Sequence, residues 1–416
     1  MPPSVEVELT RVVTGGAALG TGPDGRVVFA AGGLPGERAV VEIDREYANR
    51  LTGRVTEVLR PSPDRMPAPC LHVASGCGGC DWQHVAPARQ PRLRADIVAD
   101  CLRRLARIDD PDLRPGPPLT PDGYRTTVRA AVDRGRAGFR AARSHDVITV
   151  DSCLVAHPLA AEILIEGRFG SAAEITVRVG ARTGERLVVA TPTAQGVRVP
   201  DGVAVVGDDE LRRGRPAAYH EEVNGRRLRI SARSFFQCRP DGAEALAAAA
   251  AAALGPPPSA GSGPAPAGGD GPPRLLDAYC GVGLFGALLG DGWAVTGLES
   301  SRSSTADAAV NLAAHQPGAA VVTSRVERWN PEPMAAVIAD PARAGLGRDA
   351  AHRLAATGAP VLVLISCDPA SLARDANLLG THGYRLDHVT VVDLFGHTSH
   401  VEAVARFELV AGGVQR

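Results

Sequence analysis

The run Pro360-Val361-Leu362-Val363-Leu364-Ile365 has no polar break, and it stops at Ser366-Cys367-Asp368-Pro369. A short β-branched and leucine-rich run bounded by Gly358 and a turn reads as a parallel strand buried on both faces. Asp368-Pro369 then opens a helix. Arg274-Leu275-Leu276-Asp277-Ala278 follows the same pattern and enters the glycine-rich Tyr279–Gly286 turn, and Ala335–Ala339 ends at Asp340-Pro341. These strand, turn and helix signals predict a Rossmann-like α/β domain over 241–416. Ligands of such sheets bind in the crevice at the carboxyl ends of the strands, where Cys367 stands. A nearby helix N-terminus is expected to favour the thiolate over its free pKa of about 8.5.

A chain of 416 residues with 44% hydrophobic content should hold two or three domains with sizeable cores. No run of 18 apolar residues and no signal-like segment at Met1 is visible, so no membrane partner and a cytoplasmic location are expected. The net charge of −1 argues against a protein that coats nucleic acid indiscriminately. All 45 basic residues are arginines, so phosphate contacts would be made by guanidinium forks.

Residues 1–60 predict a small barrel of OB type, from alternation at Val5–Leu9, Val40–Asp44 and Val55–Leu59 with glycine-marked turns. The stretch 61–240 reads as a central mixed α/β domain. It opens with Cys70, Cys77 and Cys80, a cluster that suits zinc or iron–sulfur because the glycines let the loop wrap its thiolates around one point. A fourth ligand cannot be chosen by spacing. Cys101 reads as core, within an amphipathic helix over 91–107 whose Arg92, Arg94, Arg103, Arg104 and Arg107 read as a solvated face. Arg125, Arg129, Arg134, Arg136, Arg140 and Arg143 crowd one stretch and form the best candidate for phosphate contact. Residues 256–273 are almost all Pro, Gly, Ser and Ala, and are expected to form a flexible surface loop. Gly281, Gly283 and Gly286, with Glu299 after the next strand, satisfy Gly-x-Gly-x-x-Gly and fit a nicotinamide dinucleotide as read alone.

The segment Ser366-Cys367-Asp368-Pro369-Ala370-Ser371-Leu372-Ala373-Arg374-Asp375 resembles the Ser-Cys-Asn-Pro-x-Thr-Leu-Ala-Arg-Asp motif of the RNA uracil-5-methyltransferase family, which acts on tRNA and 23S rRNA. His400-Val401-Glu402, which places Glu402 35 positions downstream of Cys367, resembles that family's C-terminal His-Val-Glu. The resemblance implies Cys367 as nucleophile and Glu402 as base. It implies S-adenosylmethionine (SAM) as methyl donor, held by Gln237, Tyr279, Gly281, Gly283, Glu299 and Asp340. It also implies a [4Fe–4S] cluster on Cys70, Cys77, Cys80 and Cys153, with Cys280 and Cys238 structural. Gly25–Ala30 with Leu34–Glu37 resembles the TRAM domain, an RNA-binding module. A monomer acting on structured RNA is expected. The chain departs from the family pattern at Arg239, Leu284, Arg325 and Ala342, which keeps a non-catalytic RNA-binding protein as a rival. A cytosine-5 methyltransferase is a second rival.

Overall fold

The computed structural model describes residues 3–142, 144–258 and 271–410. Most of the low-complexity insert (259–270) and Arg143 of the arginine-rich stretch lie outside the described residues.

Strands Ser4–Val12, Ala18–Thr21, Val27–Ala31, Arg38–Glu46 and Arg50–Arg60 close into a barrel, the last two exchanged in neighbour order. Period-2 alternation turns Val7, Leu9, Val28, Ala30 and Val41 inward to fill it. This is the OB-like barrel expected at the N-terminus. The middle of the chain forms a six-stranded sheet in the order Val203–Gly207, Arg186–Thr191, Glu174–Val179, Thr127–Asp133, Arg136–Arg140, Val147–Thr149. Helix Pro158–Glu166 covers one face through Ala160, Ile163 and Leu164.

The C-terminal sheet has eight strands. Its parallel part runs Ala320–Thr323, Ala294–Glu299, Arg274–Ala278, Ala336–Ala339, Val361–Ser366. The terminal strand Glu402–Leu409 then inserts antiparallel, between Val361–Ser366 and Tyr384–Val392. Both faces are buried, which explains the unbroken apolar run. Leu362 and Leu364 enter one hydrophobic cluster, Val363 and Ile365 the other. The order of strands reverses at Arg274–Ala278, so the switch-point crevice opens between the ends of that strand and Ala336–Ala339. Among the described residues no helix is long and apolar enough to cross a membrane.

Helix Gln90–Cys101 continues as a π turn over Leu102–Ala106 and ends at Arg107, whose φ of 61° stops it. Leu93, Ile97 and Val98 pack into the same cluster as one face of the C-terminal sheet, and strand Leu113–Pro115 joins that sheet's edge. One residue of the expected solvated face is inverted. Arg94 is fully buried. Its guanidinium pairs with Asp393 and donates to the carbonyls of His400 (2.9 Å), Phe395 (2.8 Å) and Thr398. A planar fork can satisfy several acceptors at once, and here it ties the loop before Glu402 to the helix.

Arg94→Met should therefore lower unfolding free energy by on the order of 3 kcal/mol or more, because Asp393 is left without its buried cation. Urea denaturation checks this; a loss below about 0.5 kcal/mol, as at an exposed site, would refute it.

Candidate active site at the carboxyl ends of the sheet

Cys367 follows the last residue of strand Val361–Ser366, and Glu402 is the first of Glu402–Leu409. The antiparallel register sets Ser366 opposite Ala403, so the next step brings Cys367 opposite Glu402 on one face. Asp340 ends the neighbouring strand, its N–H donating to the Ala278 carbonyl (3.3 Å). A pocket of about 250 Å³ opens over Cys367. Its walls come from three parts of the chain: Thr14 of the barrel, Gly79 and Asp81 of the cysteine loop, and Arg343 and His400 of the C-terminal domain.

Two carboxylates that do not line the pocket, those of Glu402 and Asp340, act on Cys367. Glu402 is buried, and burial together with the Asp340 charge lifts it well above the usual carboxylate range. Asp340 is raised as well by desolvation, since two enclosed carboxylates resist ionising together. The Cys367 thiol is pushed up to about 11 by burial, then by the charges of Glu402 and Asp340. The expected help from the helix does not arrive. In helix Pro369–Gly380 the Ser371 N–H is taken by the Asp368 carboxylate (2.8 Å) as its own cap. Arg343, 3.8 Å from Asp368 at the pocket wall, is the cation that draws the thiol down.

At the switch point Tyr279, Gly281 and Gly283 all have positive φ (60°, 56° and 84°). Nothing lies within 4 Å of where a Cβ on Gly281 would point, so the turn faces open space. Beneath it Asp277 is fully buried and raised to about 7 by desolvation. One of its oxygens accepts the Gly286 N–H (2.8 Å); the other, like the Tyr279 hydroxyl, is buried without a protein partner. Glu299 braces the turn, accepting from Gly281 N–H (3.1 Å) and from the Ser300 and Ser301 N–H groups (2.6 Å each). Gln237 is buried in the segment that follows hairpin Ala218–Ser231. That segment is anchored where Ser234 donates to Asp307 (2.6 Å) on helix Arg302–His315, which starts just after Glu299. Asp307 was invisible as a positioning residue because its partners lie more than 70 positions away.

The departures from the family pattern have structural roles or none. Arg239 is buried, paired with Asp241 (2.6 Å), bonded to the Thr120 carbonyl (2.9 Å), and stacked 4.6 Å from the Tyr124 ring centre. Leu284 packs beneath the glycine turn. Arg325 and Ala342 are exposed, and nothing in the structure explains them.

Cys70, Cys77, Cys80 and Cys153 line a single cavity of about 230 Å³ with Arg125. None forms a disulfide. Among the described residues no three His, Cys, Asp or Glu side chains converge closely enough for one metal ion. Burial lifts Cys80 to about 11, with Cys153 the next cause that raises it. Of the arginine-rich stretch, Arg125 and Arg129 both line this cavity, and Arg129 is exposed and pairs with Glu174.

The cysteine loop is stapled to the pocket by contacts that sequence reading missed. Asp81 accepts the Ser399 N–H (2.9 Å), the Trp82 N–H donates to the His397 carbonyl (2.9 Å), and its indole donates to the Gly16 carbonyl (3.2 Å). Gly16 has a φ of 79°, and a Cβ there would fall 2.5 Å from Asp81 and 2.7 Å from Ser399. Only glycine fits where barrel, loop and C-terminal domain meet.

No family model matches the chain. An uncharacterized RNA methyltransferase of Streptomyces coelicolor is 37% identical over 98% of this chain and 93% of its own. The 23S rRNA (uracil(1939)-C(5))-methyltransferase RlmD of Methylococcus capsulatus is 32% identical over 92% of this chain and 93% of its own. The solved structure of Pyrococcus abyssi tRNA (uracil-54, C5)-methyltransferase with S-adenosyl-L-homocysteine has the same fold, with a TM-score of 0.71, 21% identity, and coverage of 97% and 99%.

A thiol held near 11 should be alkylated by iodoacetamide at Cys367 about tenfold faster per pH unit between pH 7 and 10. Arg343→Gln removes the cation, so the curve should move to higher pH and the rate at pH 9 should fall by about three- to tenfold. Peptide mapping by mass spectrometry reads both; a rate independent of Arg343 would remove it from the thiol's environment.

Proposed function

Since the chain belongs to the family of RNA methyltransferases, we propose that it methylates carbon 5 of a uridine in structured RNA, a tRNA or a 23S rRNA, through a covalent Cys367 adduct. The observation that carries this reading is the end of the ladder, Ser366 opposite Ala403, which brings the Cys367 thiol near the buried Glu402 carboxylate at the carboxyl ends of the strands.

Carbon 5 of uracil is a poor nucleophile until a thiolate adds at carbon 6. Cys367 gives its proton to solvent, with Arg343 favouring the thiolate, and the sulfur bonds to carbon 6 as the carbon 5–carbon 6 π electrons move to leave an enolate. SAM, when bound, supplies the electrophilic methyl group that the enolate takes at carbon 5. Glu402 then removes the carbon 5 proton, and the carbon–sulfur bond breaks to release Cys367. Glu402 acts in its ionised form, and the burial that raises its proton affinity makes that carboxylate a stronger base once its own proton has left to solvent. The residues around the glycine turn fit SAM: the open face above Gly281 and the unpartnered oxygens of Asp277 and Tyr279 offer polar contacts. Gln237, Gly283, Glu299 and Asp340 complete the candidate cradle. A base must leave its stack to enter a pocket of about 250 Å³, which favours an RNA loop as substrate.

The thiols of Cys70, Cys77, Cys80 and Cys153 are candidate ligands of one [4Fe–4S] cluster. Four thiols around one cavity match the number of thiolates that a [4Fe–4S] cluster takes. With all four corners held, such a cluster would act as a structural cross-link. The barrel over 1–60 would serve as a TRAM-type RNA module, 61–240 as the cluster-bearing domain and 241–416 as the methyltransferase domain of a cytoplasmic monomer.

Glu402→Gln should methylate once and stall, giving a denaturant-resistant protein–RNA adduct that carries the methyl group and vanishes when Cys367→Ala is added. Normal turnover with no shifted band on a denaturing gel would exclude Glu402 as the base, and 5-methylcytidine as product would point to cytosine. Protein purified without oxygen should carry about four irons per chain. Stoichiometric zinc without iron would sink the cluster assignment.

A further inference from the structure

A cavity of about 420 Å³ lies beside the Cys367 pocket, between the outer face of the barrel and the end of helix Gln90–Cys101. Its barrel wall is made by Val27 and Phe29. Alternation along strand Val27–Ala31 sends Val28 and Ala30 into the barrel core and leaves these two facing out. Phe29 sits opposite Leu19 on the neighbouring strand and, with the exposed Val27, adds nothing to that core.

The rim is cationic. Arg11 and Arg104, with side chains 52% and 57% exposed, lie 3.5 and 3.3 Å from the same carboxylate, that of Asp100, which is 13% exposed. Two guanidinium groups on one carboxylate leave a net positive charge at the mouth. Arg50, also on the rim, lies 4.1 Å over the Tyr47 ring. Thr14 lines both this cavity and the Cys367 pocket, and Ala370, three residues past Cys367, reaches its floor. The two cavities are thus neighbours across Thr14.

We infer that this cavity seats an unpaired nucleotide of the RNA substrate next to the target base, with its base on Phe29 and Val27 and its phosphates on Arg11 and Arg104. The inference rests on the RNA-methylating reading above and adds where the substrate's flanking chain runs. An aromatic platform edged by arginines is the recipe for single-stranded nucleic acid, since every base has a face to stack and every linkage a negative charge. The second and third strands of OB-type barrels are a common platform for it. A protein partner would bury the apolar wall equally well. It would give no reason for paired cations on a cavity that shares Thr14 with the Cys367 pocket.

The test uses the full chain and stem-loop RNAs with an unpaired uridine, one set carrying 2-aminopurine beside it. Wild type should quench the 2-aminopurine on binding. Arg11→Ala with Arg104→Ala should weaken binding by about tenfold or more and flatten the dependence of log Kd on log salt by about 0.7 for each phosphate that is no longer neutralised. Phe29→Leu should restore the fluorescence, and stacking predicts about a five- to hundredfold loss of affinity. The Cys367 alkylation rate should be unchanged in all variants, which shows that they fold. If wild type binds and methylates RNA while the variants keep its salt slope and quenching, this inference falls and the functional reading stands. If wild type neither binds nor methylates any tRNA or 23S rRNA transcript, both fall.

Discussion

The pairing of Val361–Ser366 with Glu402–Leu409 is the constraint on which the site depends. A terminal strand inserted antiparallel into a parallel sheet reverses direction, so its first residue lies beside the residue that follows its neighbour's last. That geometry turns a separation of 35 residues along the chain into adjacency across one ladder. Slipping the register by one residue would turn Glu402 to the opposite face of the sheet and also expose the apolar set that now fills both cores.

The same burial that stabilises the sheet creates its chemistry. Strands sealed on both faces have their ends as the place for polar groups, and Asp277, Asp340 and Glu402 crowd there with Cys367. Desolvation outweighs the helix N-terminus, because Asp368 consumes that terminus as its own cap. The thiol therefore rests protonated, and Arg343 stands as the local counterweight at a site otherwise dominated by carboxylates.

Three parts of the chain are locked at one junction. Trp82 and Asp81 bond to the loop before Glu402, Gly16 admits them by lacking a Cβ, and Arg94 holds that loop from beneath. The cysteine loop and the barrel thereby become walls of the Cys367 pocket. The conformation of the loop around Cys77 and Cys80 bears directly on the room available above the thiol.

The sequence by itself determined the local elements: a barrel from period-2 alternation with glycine turns, parallel strands from unbroken apolar runs, and a positive-φ turn from Gly281 and Gly283. It also singled out Cys367, Glu402 and the four cysteines as candidates, because short motifs carry their chemistry within a few residues. Only the tertiary structure decided that Arg94 is a buried clasp where periodicity read it as solvated. The same holds for Asp307 as an anchor, for Arg125 turning toward the cysteines, and for Arg343, not a helix end, tempering the thiol. In each case the deciding partner lies far along the chain or in another element, so no local pattern records it. Propensity and periodicity are set by neighbours in sequence, whereas charge, burial and proton affinity are set by neighbours in space.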